Sequence, residues 1–336
     1  MKDLTKNIGI IDRASFSQGG FGTLYKARLY SDNSQESEIV AVKFPNLHSI
    51  ETFGDPGNIN DKEKVLRRWK REIKAGQGVS HPNILPFLGF CSNPDAEYRE
   101  FIGLVLPFCI NRDASVYVRG RPHTDRMRIL KEVGAALFAL HSANPPVVHG
   151  DIKAQNILID SEGHALLADF GLSRICETSG FTTDSLMDIW AFSMTILQIL
   201  TGELPFNELK KDCVILLEVV INARRPKRPS DFCITDGLWT LLEHCWHQDA
   251  SARPDARHVG LALDLISRKI GGELNSRTIS EILKGHLDSS ATHSRRLEST
   301  TLPYKCKWLR CAASFNSLDN CIVHECSEFL EQKACT

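Results

Sequence analysis

Six side chains of this 336-residue chain stand in an order that could serve phosphate chemistry by placing charge or holding a cation: Lys43, Glu72, Asp151, Lys153, Asn156 and Asp169. Upstream of them lies Ser17-Gln18-Gly19-Gly20-Phe21-Gly22, where glycines without a Cβ let backbone amides approach phosphate oxygens closely. Lys43 ends Val40-Ala41-Val42-Lys43, a buried-strand pattern that finishes on an ammonium. Asp151, Lys153 and Asn156 fall in His149-Gly150-Asp151-Ile152-Lys153-Ala154-Gln155-Asn156, flanked by apolar Val147-Val148 and Ile157-Leu158-Ile159. Eighteen residues past Asp151 stands Asp169-Phe170-Gly171. Taken singly, each has a plain reading. A glycine pair marks a hairpin turn, a lysine ending a strand is solvated, and Glu72 is a carboxylate on a helix surface. The ordered set is the specific signal.

These residues need elements to hold them. Residues from about 8 to 44 alternate apolar and polar between Gly-rich punctuation, which predicts a meander of strands. Val65, Trp69 and Ile73 recur every four residues, predicting a helix over Asp61–Ala75 that Gly76 stops. Strand-like runs follow at Ile84–Phe90 and Ile102–Pro107. Beyond Pro122 the pattern turns helical, with Thr124 as N-cap and Leu130, Val133, Leu137 and Leu140 as one stripe. Strands first and helices afterwards predict two lobes.

Composition narrows the function classes. The 40 Lys and Arg balance 41 Asp and Glu, so the net charge of −1 gives no global attraction to nucleic acid or an anionic membrane. The N-terminus has no apolar core of a signal peptide. The most apolar run, Ile189–Leu200, is interrupted by Ser193, Thr195 and Gln198 and is too short for a bilayer, which needs about 20 apolar residues. An intracellular protein is expected, cytoplasmic or nuclear. Eleven cysteines are present, five of them in the last 31 residues, and such clustering argues for metal before disulfides.

The ordered motifs resemble those of eukaryotic protein kinases over roughly residues 8–268, nearest to the tyrosine-kinase-like serine/threonine group. The resemblance implies an α+β bilobal fold: a small β-rich N-lobe with one helix (about 8–106) and a larger helical C-lobe (about 110–268). It implies ATP-dependent phosphotransfer to a Ser/Thr acceptor in a protein substrate. Gly19, Gly20, Gly22, Leu24 and Ala41 would line the nucleotide site, and Leu106 would guard the back of the adenine pocket. Lys43 would contact the α/β-phosphates and be held by Glu72. Asn156 and Asp169 would hold Mg²⁺, a hard cation that prefers oxygen. Asp151 would accept the hydroxyl proton, and Lys153 would steady the transferring phosphate. Asp188 would brace the catalytic-loop backbone.

Three departures from that pattern stand out. Ser17 replaces the first glycine of the phosphate loop, and Leu24 the usual valine. Gly150 replaces the Arg that usually clamps a phosphorylated activation loop, so Thr178, Thr182, Thr183 and Ser185 lose that switch role and activity should not depend on loop phosphorylation. The sixteen residues Leu172–Met187 contain neither Ala nor Pro, so the substrate-docking turn and Ala-Pro-Glu motif are missing. Arg253 then loses its expected carboxylate, a loss of about 3–5 kcal/mol for a buried pair, with Glu177 as a substitute. Two outcomes stay open: a kinase impaired in peptide docking, or a nucleotide-binding pseudokinase scaffold.

Residues 270–303, Ser/Thr-rich from Asp288 to Thr301, read as a linker, and 304–336 as a separate tail. Tyr304, Cys306, Cys311, Phe315 and His324 resemble the opening of a two-cysteine, two-histidine zinc finger. The second histidine is absent, so the alternative is a degenerate tail with free thiols. Residues 270–336 carry eight basic and eight acidic side chains, so nothing here favours DNA.

Overall fold

The structure, a computed structural model, describes residues 2–10, 17–19, 22–31, 36–45, 59–92, 102–175, 183–230, 234–268, 276–283, 304–305 and 314–315. The strand-rich first third forms one six-stranded antiparallel sheet. Its strands are β1 (Ile8–Ile10), β2 (Ser17–Gly19), β3 (Gly22–Tyr30), β4 (Ser37–Phe44), β5 (Gly89–Ser92) and β6 (Ile102–Pro107). The order is β1-β3-β4-β6-β5, with β2 also paired to β3. Alternation in β4 puts Val40 and Val42 into a small core with Ala27, Phe44, Cys91 and Val105. Residues before β1 belong here too: Leu4 N–H donates to Phe90 O and Phe90 N–H to Lys2 O, and Leu4 is buried.

Helix α1 spans Ile59–Gly78, longer at both ends than the expected Asp61–Ala75. Gly76 does not stop it. A Cβ at Gly76 would lie 1.7 Å from Phe87 Cε2, so the glycine is there to seat a ring. Trp69 is buried and Ile73 half-buried.

The larger part is helical: α2 (Ala114–Tyr117), α3 (His123–His141), α4 (Thr183–Thr201), α5 (Asp212–Val220), α6 (Asp236–Cys245), α7 (Ala256–Arg268) and α8 (276–283). Thr124 is not the cap of α3, which begins at His123 with Pro122 at the N-cap. Proline there presets the backbone, and its missing N–H costs nothing. The expected stripe of Leu130, Val133, Leu137 and Leu140 is wholly buried, in one core with Ile189, Phe192 and Ile196 of α4 and Val259 and Leu263 of α7. Short antiparallel pairs, β7 (Val147–Val148) with β10 (Arg174–Ile175) and β8 (Ile157–Ile159) with β9 (Ala165–Leu167), carry the loops that face the sheet. The fold is α+β: a sheet lobe with one long helix and a helical lobe.

Helix α4 starts at Thr183, five residues before Asp188. One boundary differs from expectation. Part of the stretch read as linker is helix α8, and its Ile279 and Leu283 are buried in the helical core. In the tail, β11 (Tyr304–Lys305) and β12 (Ser314–Phe315) pair antiparallel. Cys306, Cys311 and His324 lie outside the described residues. Among those described, no group of three His, Cys, Asp or Glu is placed to hold a metal, and no helix is long and apolar enough to cross a membrane.

Candidate active site

The cleft between the lobes has an apolar wall. Strand pairing sets Ala41 opposite Leu106, and Leu24 opposite Lys43. Ala41, Leu106, Leu85, Leu166 and Ala168 form a buried cluster from both lobes, with Leu24, Phe108 and Leu158 packed against it. Lys26, which the sequence did not single out, puts its ammonium 4.9 Å from the centre of the Phe108 ring. Its register opposite Ala41 places it on the face that bears Leu24.

The glycine hairpin lies on the same strands. Gly19 and Gly22 are register partners at the β2–β3 turn, and Gly20 lies outside the described residues. A Cβ on Gly22 would come 2.8 Å from the Phe44 carbonyl oxygen, so glycine is required there for backbone approach as well.

Lys43, Glu72 and Asp169 come together from β4, α1 and the loop after β9. Lys43 Nζ donates to Glu72 Oε1 at 2.6 Å and to Asp169 Oδ1 at 3.1 Å. Lys43 and Glu72 are both buried. Burial works against the ammonium, but the two carboxylates outweigh it and hold its pKa above the ordinary lysine value. Burial likewise opposes ionisation of Asp169, yet Lys43 and the Gly171 N–H keep its carboxyl below the usual range. Trp69 Nε1–H donates to the Ile102 carbonyl and ties α1 to β6 one turn before Glu72. Asp169 has φ +65°, a left-handed conformation that aspartate tolerates better than most residues.

A second group gathers around Asp151. Lys153 Nζ donates to Asp151 Oδ2 at 2.7 Å, and Asn156 Nδ2 donates to the same oxygen at 2.9 Å and to Asp151 O at 2.8 Å. Ala168 links the two groups, because its N–H donates to Asn156 O and its carbonyl accepts from His149 Nε2. The Phe170 ring lies 5.0 Å from that of His149, centre to centre.

The donor set suits a hard divalent cation. Among the described contacts Asn156 Oδ1 and Asp169 Oδ2 accept no hydrogen bond, since the amide nitrogen and the other carboxylate oxygen are the atoms engaged. That leaves one amide oxygen and one carboxylate oxygen for a cation that prefers oxygen.

The bracing expected of Asp188 is present. Its Oδ2 accepts from His149 N–H at 2.7 Å, and its Oδ1 from Gly150 N–H at 2.8 Å. His141 Nε2 lies 3.0 Å from the same Oδ2. Arg253, read from the sequence as losing its expected carboxylate, has carbonyl and ring partners. It is buried, donates to the carbonyls of His247 and Leu186, and sits 4.9 Å from the Trp190 ring centre. Arg225 lies 4.6 Å from the same ring, so two guanidiniums share one indole. Neither contact leaves a sequence signal, because both depend on where α4 meets the loops beyond it. Glu177 lies outside the described residues.

The protein kinase domain model matches residues 13–187, and the protein tyrosine and serine/threonine kinase model matches 177–263. Neither reaches the cysteine-rich tail. The chain is 29% identical over 283 residues to receptor-interacting serine/threonine-protein kinase 3 of Rattus norvegicus, covering 74% of this chain and 53% of that protein. It is 28% identical to receptor-interacting serine/threonine-protein kinase 2 of Bos taurus (73% and 49%), and 27% to the probable serine/threonine-protein kinase pats1 of Dictyostelium discoideum (70% and 8%). It thus spans between about a twelfth and about half of these relatives' length. The chain belongs to the protein kinase domain family.

Proposed function

We propose that the chain binds ATP with Mg²⁺ in the interlobe cleft and transfers the γ-phosphoryl group to a Ser or Thr hydroxyl of a protein substrate. The observation that carries this reading is Lys43 held by both Glu72 and Asp169, at 2.6 and 3.1 Å. Such a lysine is a fixed positive point for a phosphate chain, placed before any ligand arrives. Leu24, Ala41 and Leu106 supply apolar surface for a purine, and Gly19, Gly20 and Gly22 bring backbone amides to the phosphates. Mg²⁺ bound with ATP supplies charge neutralisation on the phosphates, with Asn156 and Asp169 as its ligands. Asp151 receives the acceptor hydroxyl proton, and Lys153, 2.7 Å from Asp151, stands beside the transferring group. The kinase unit on this reading covers about 8–268, divided near 106–110.

A second reading, a nucleotide-binding scaffold, draws on one observation. Strand β10 ends at Ile175 and α4 begins at Thr183, leaving residues 176–182 for everything that would dock a peptide. Labelled phosphate transfer to a generic Ser/Thr substrate separates the two. The kinase reading expects transfer that Asp151→Asn abolishes. No transfer beside intact ATP·Mg²⁺ binding selects the scaffold.

A further inference from the structure

His149 is fully buried at the head of the catalytic loop, and each of its polar groups has a named partner. Its N–H donates to Asp188 Oδ2, its Nε2–H to Ala168 O, and its Nδ1 accepts from Asp151 N–H. The fourth group, the backbone carbonyl, accepts from Ser173 Oγ at 3.1 Å. Ser173 is itself 1% exposed and lies two residues past Asp169-Phe170-Gly171, and its N–H donates to Phe170 O.

The same stretch meets the catalytic loop along its length. Arg174 and Ile175 pair with Val148 and Val147, and Leu172 O would lie 3.0 Å from a Cβ on Gly150. Gly150 has φ +77°, where a side chain is strained, and it stands where the resemblance expects an arginine that holds a phosphate. Residues 172–175 thus lie on 147–150 through backbone pairing and one hydroxyl.

We propose that Ser173 is a positioning residue that fixes the catalytic loop to the start of the activation segment, in place of the arginine–phosphate link. Removing its hydroxyl leaves a buried carbonyl without its donor, a penalty that falls on His149 and through it on Asp151. The kinetic consequence rests on the phosphotransfer reading above. The structural consequence does not.

The test compares Ser173→Ala, Ser173→Cys and Ser173→Thr in the full chain. Trypsin cleavage of the Arg174–Ile175 bond, followed by mass spectrometry, reports opening of the β10–β7 pair. Ala and Cys should raise that cleavage rate roughly five- to thirtyfold, the equivalent of about 1–2 kcal/mol. They should lower kcat over a similar range while KM for ATP and stabilisation by ATP·Mg²⁺ stay within about twofold of wild type. Thr, which restores a hydroxyl, should return both readouts toward wild type. Wild-type cleavage in Ser173→Ala overturns the proposal, as does equal impairment in Ala and Thr, or loss of ATP·Mg²⁺ stabilisation together with kcat. If the wild-type chain transfers no phosphate, the phosphotransfer reading fails while the cleavage series still decides the role of Ser173.

Discussion

The Phe87 ring occupies the space a β-carbon on residue 76 would need, with Cε2 only 1.7 Å from that position. Phe87 also packs on the cluster of Ala41, Leu106 and Ala168, so this contact joins α1 to the cleft wall. Helix propensity alone makes Gly→Ala stabilising by about 1 kcal/mol in a helix interior. Here overpacking opposes it, at typically about 1–3 kcal/mol. Gly76→Ala should lower the thermal midpoint and weaken nucleotide binding, and Phe87→Leu in the same chain should recover part of the loss. A midpoint raised by Gly76→Ala would contradict the packing argument.

Glu72 sets the place of Lys43. Glu72→Gln keeps an acceptor oxygen for Lys43 but removes the buried carboxylate charge, a loss of about 1–2 kcal/mol, and leaves Asp169 as the carboxylate on that ammonium. Chemical denaturation should show that loss, and ATP·Mg²⁺ stabilisation should shrink with it. Unchanged stability and unchanged nucleotide response would mean the pair does no positioning.

His149 gives a pH signature. Burial holds its pKa below the ordinary value, and its bonds define the neutral tautomer with the proton on Nε2. His81 and His123 are lowered by the same cause. The folded state then binds fewer protons than the unfolded chain below about pH 6.5, so stability is full above that pH and falls as pH drops toward the lowered values. His164, exposed and raised by Glu132, acts in the opposite direction. Urea midpoints should therefore decline from pH 7.5 to 5.5. Nitrogen NMR should find His149 neutral, protonated on Nε2, at pH 6.5, and a protonated ring there would overturn the assignment.

Arg253 is held by two carbonyls and the Trp190 ring. Arg253→Lys keeps the charge but loses the planar fork, so destabilisation of about 1–3 kcal/mol is expected by denaturation. A neutral result would show that the charge alone matters.

Much of this architecture is legible in the sequence. The order of Lys43, Glu72, Asp151, Asn156 and Asp169 pointed to the fold, and the Leu130–Leu140 stripe pointed to the buried face of α3. Other features were misread because they depend on residues far apart in sequence. Gly76 looked like a helix stop, since nothing near it in sequence announces Phe87. Thr124 looked like a cap because its type suits one, yet the backbone turns at Pro122. Arg253 reads as losing a carboxylate, and the carbonyls and indole that hold it carry no sequence signature. Ser173 is one polar residue among many in the sequence, and its hydroxyl reaches the carbonyl of a residue 24 positions away, His149.

The central claim is that Lys43, Glu72 and Asp169 form a nucleotide site, and thermal unfolding titrated with ATP and Mg²⁺ tests it most directly. A nucleotide site there should raise the midpoint in a way that requires Mg²⁺ and keeps growing with ligand, the stabilisation reaching about 2.7 kcal/mol at a hundred times Kd. Asp169→Asn should lose the Mg²⁺ dependence, and Lys43→Met most of the rise. A wild-type midpoint that does not move at millimolar ATP·Mg²⁺ would contradict it.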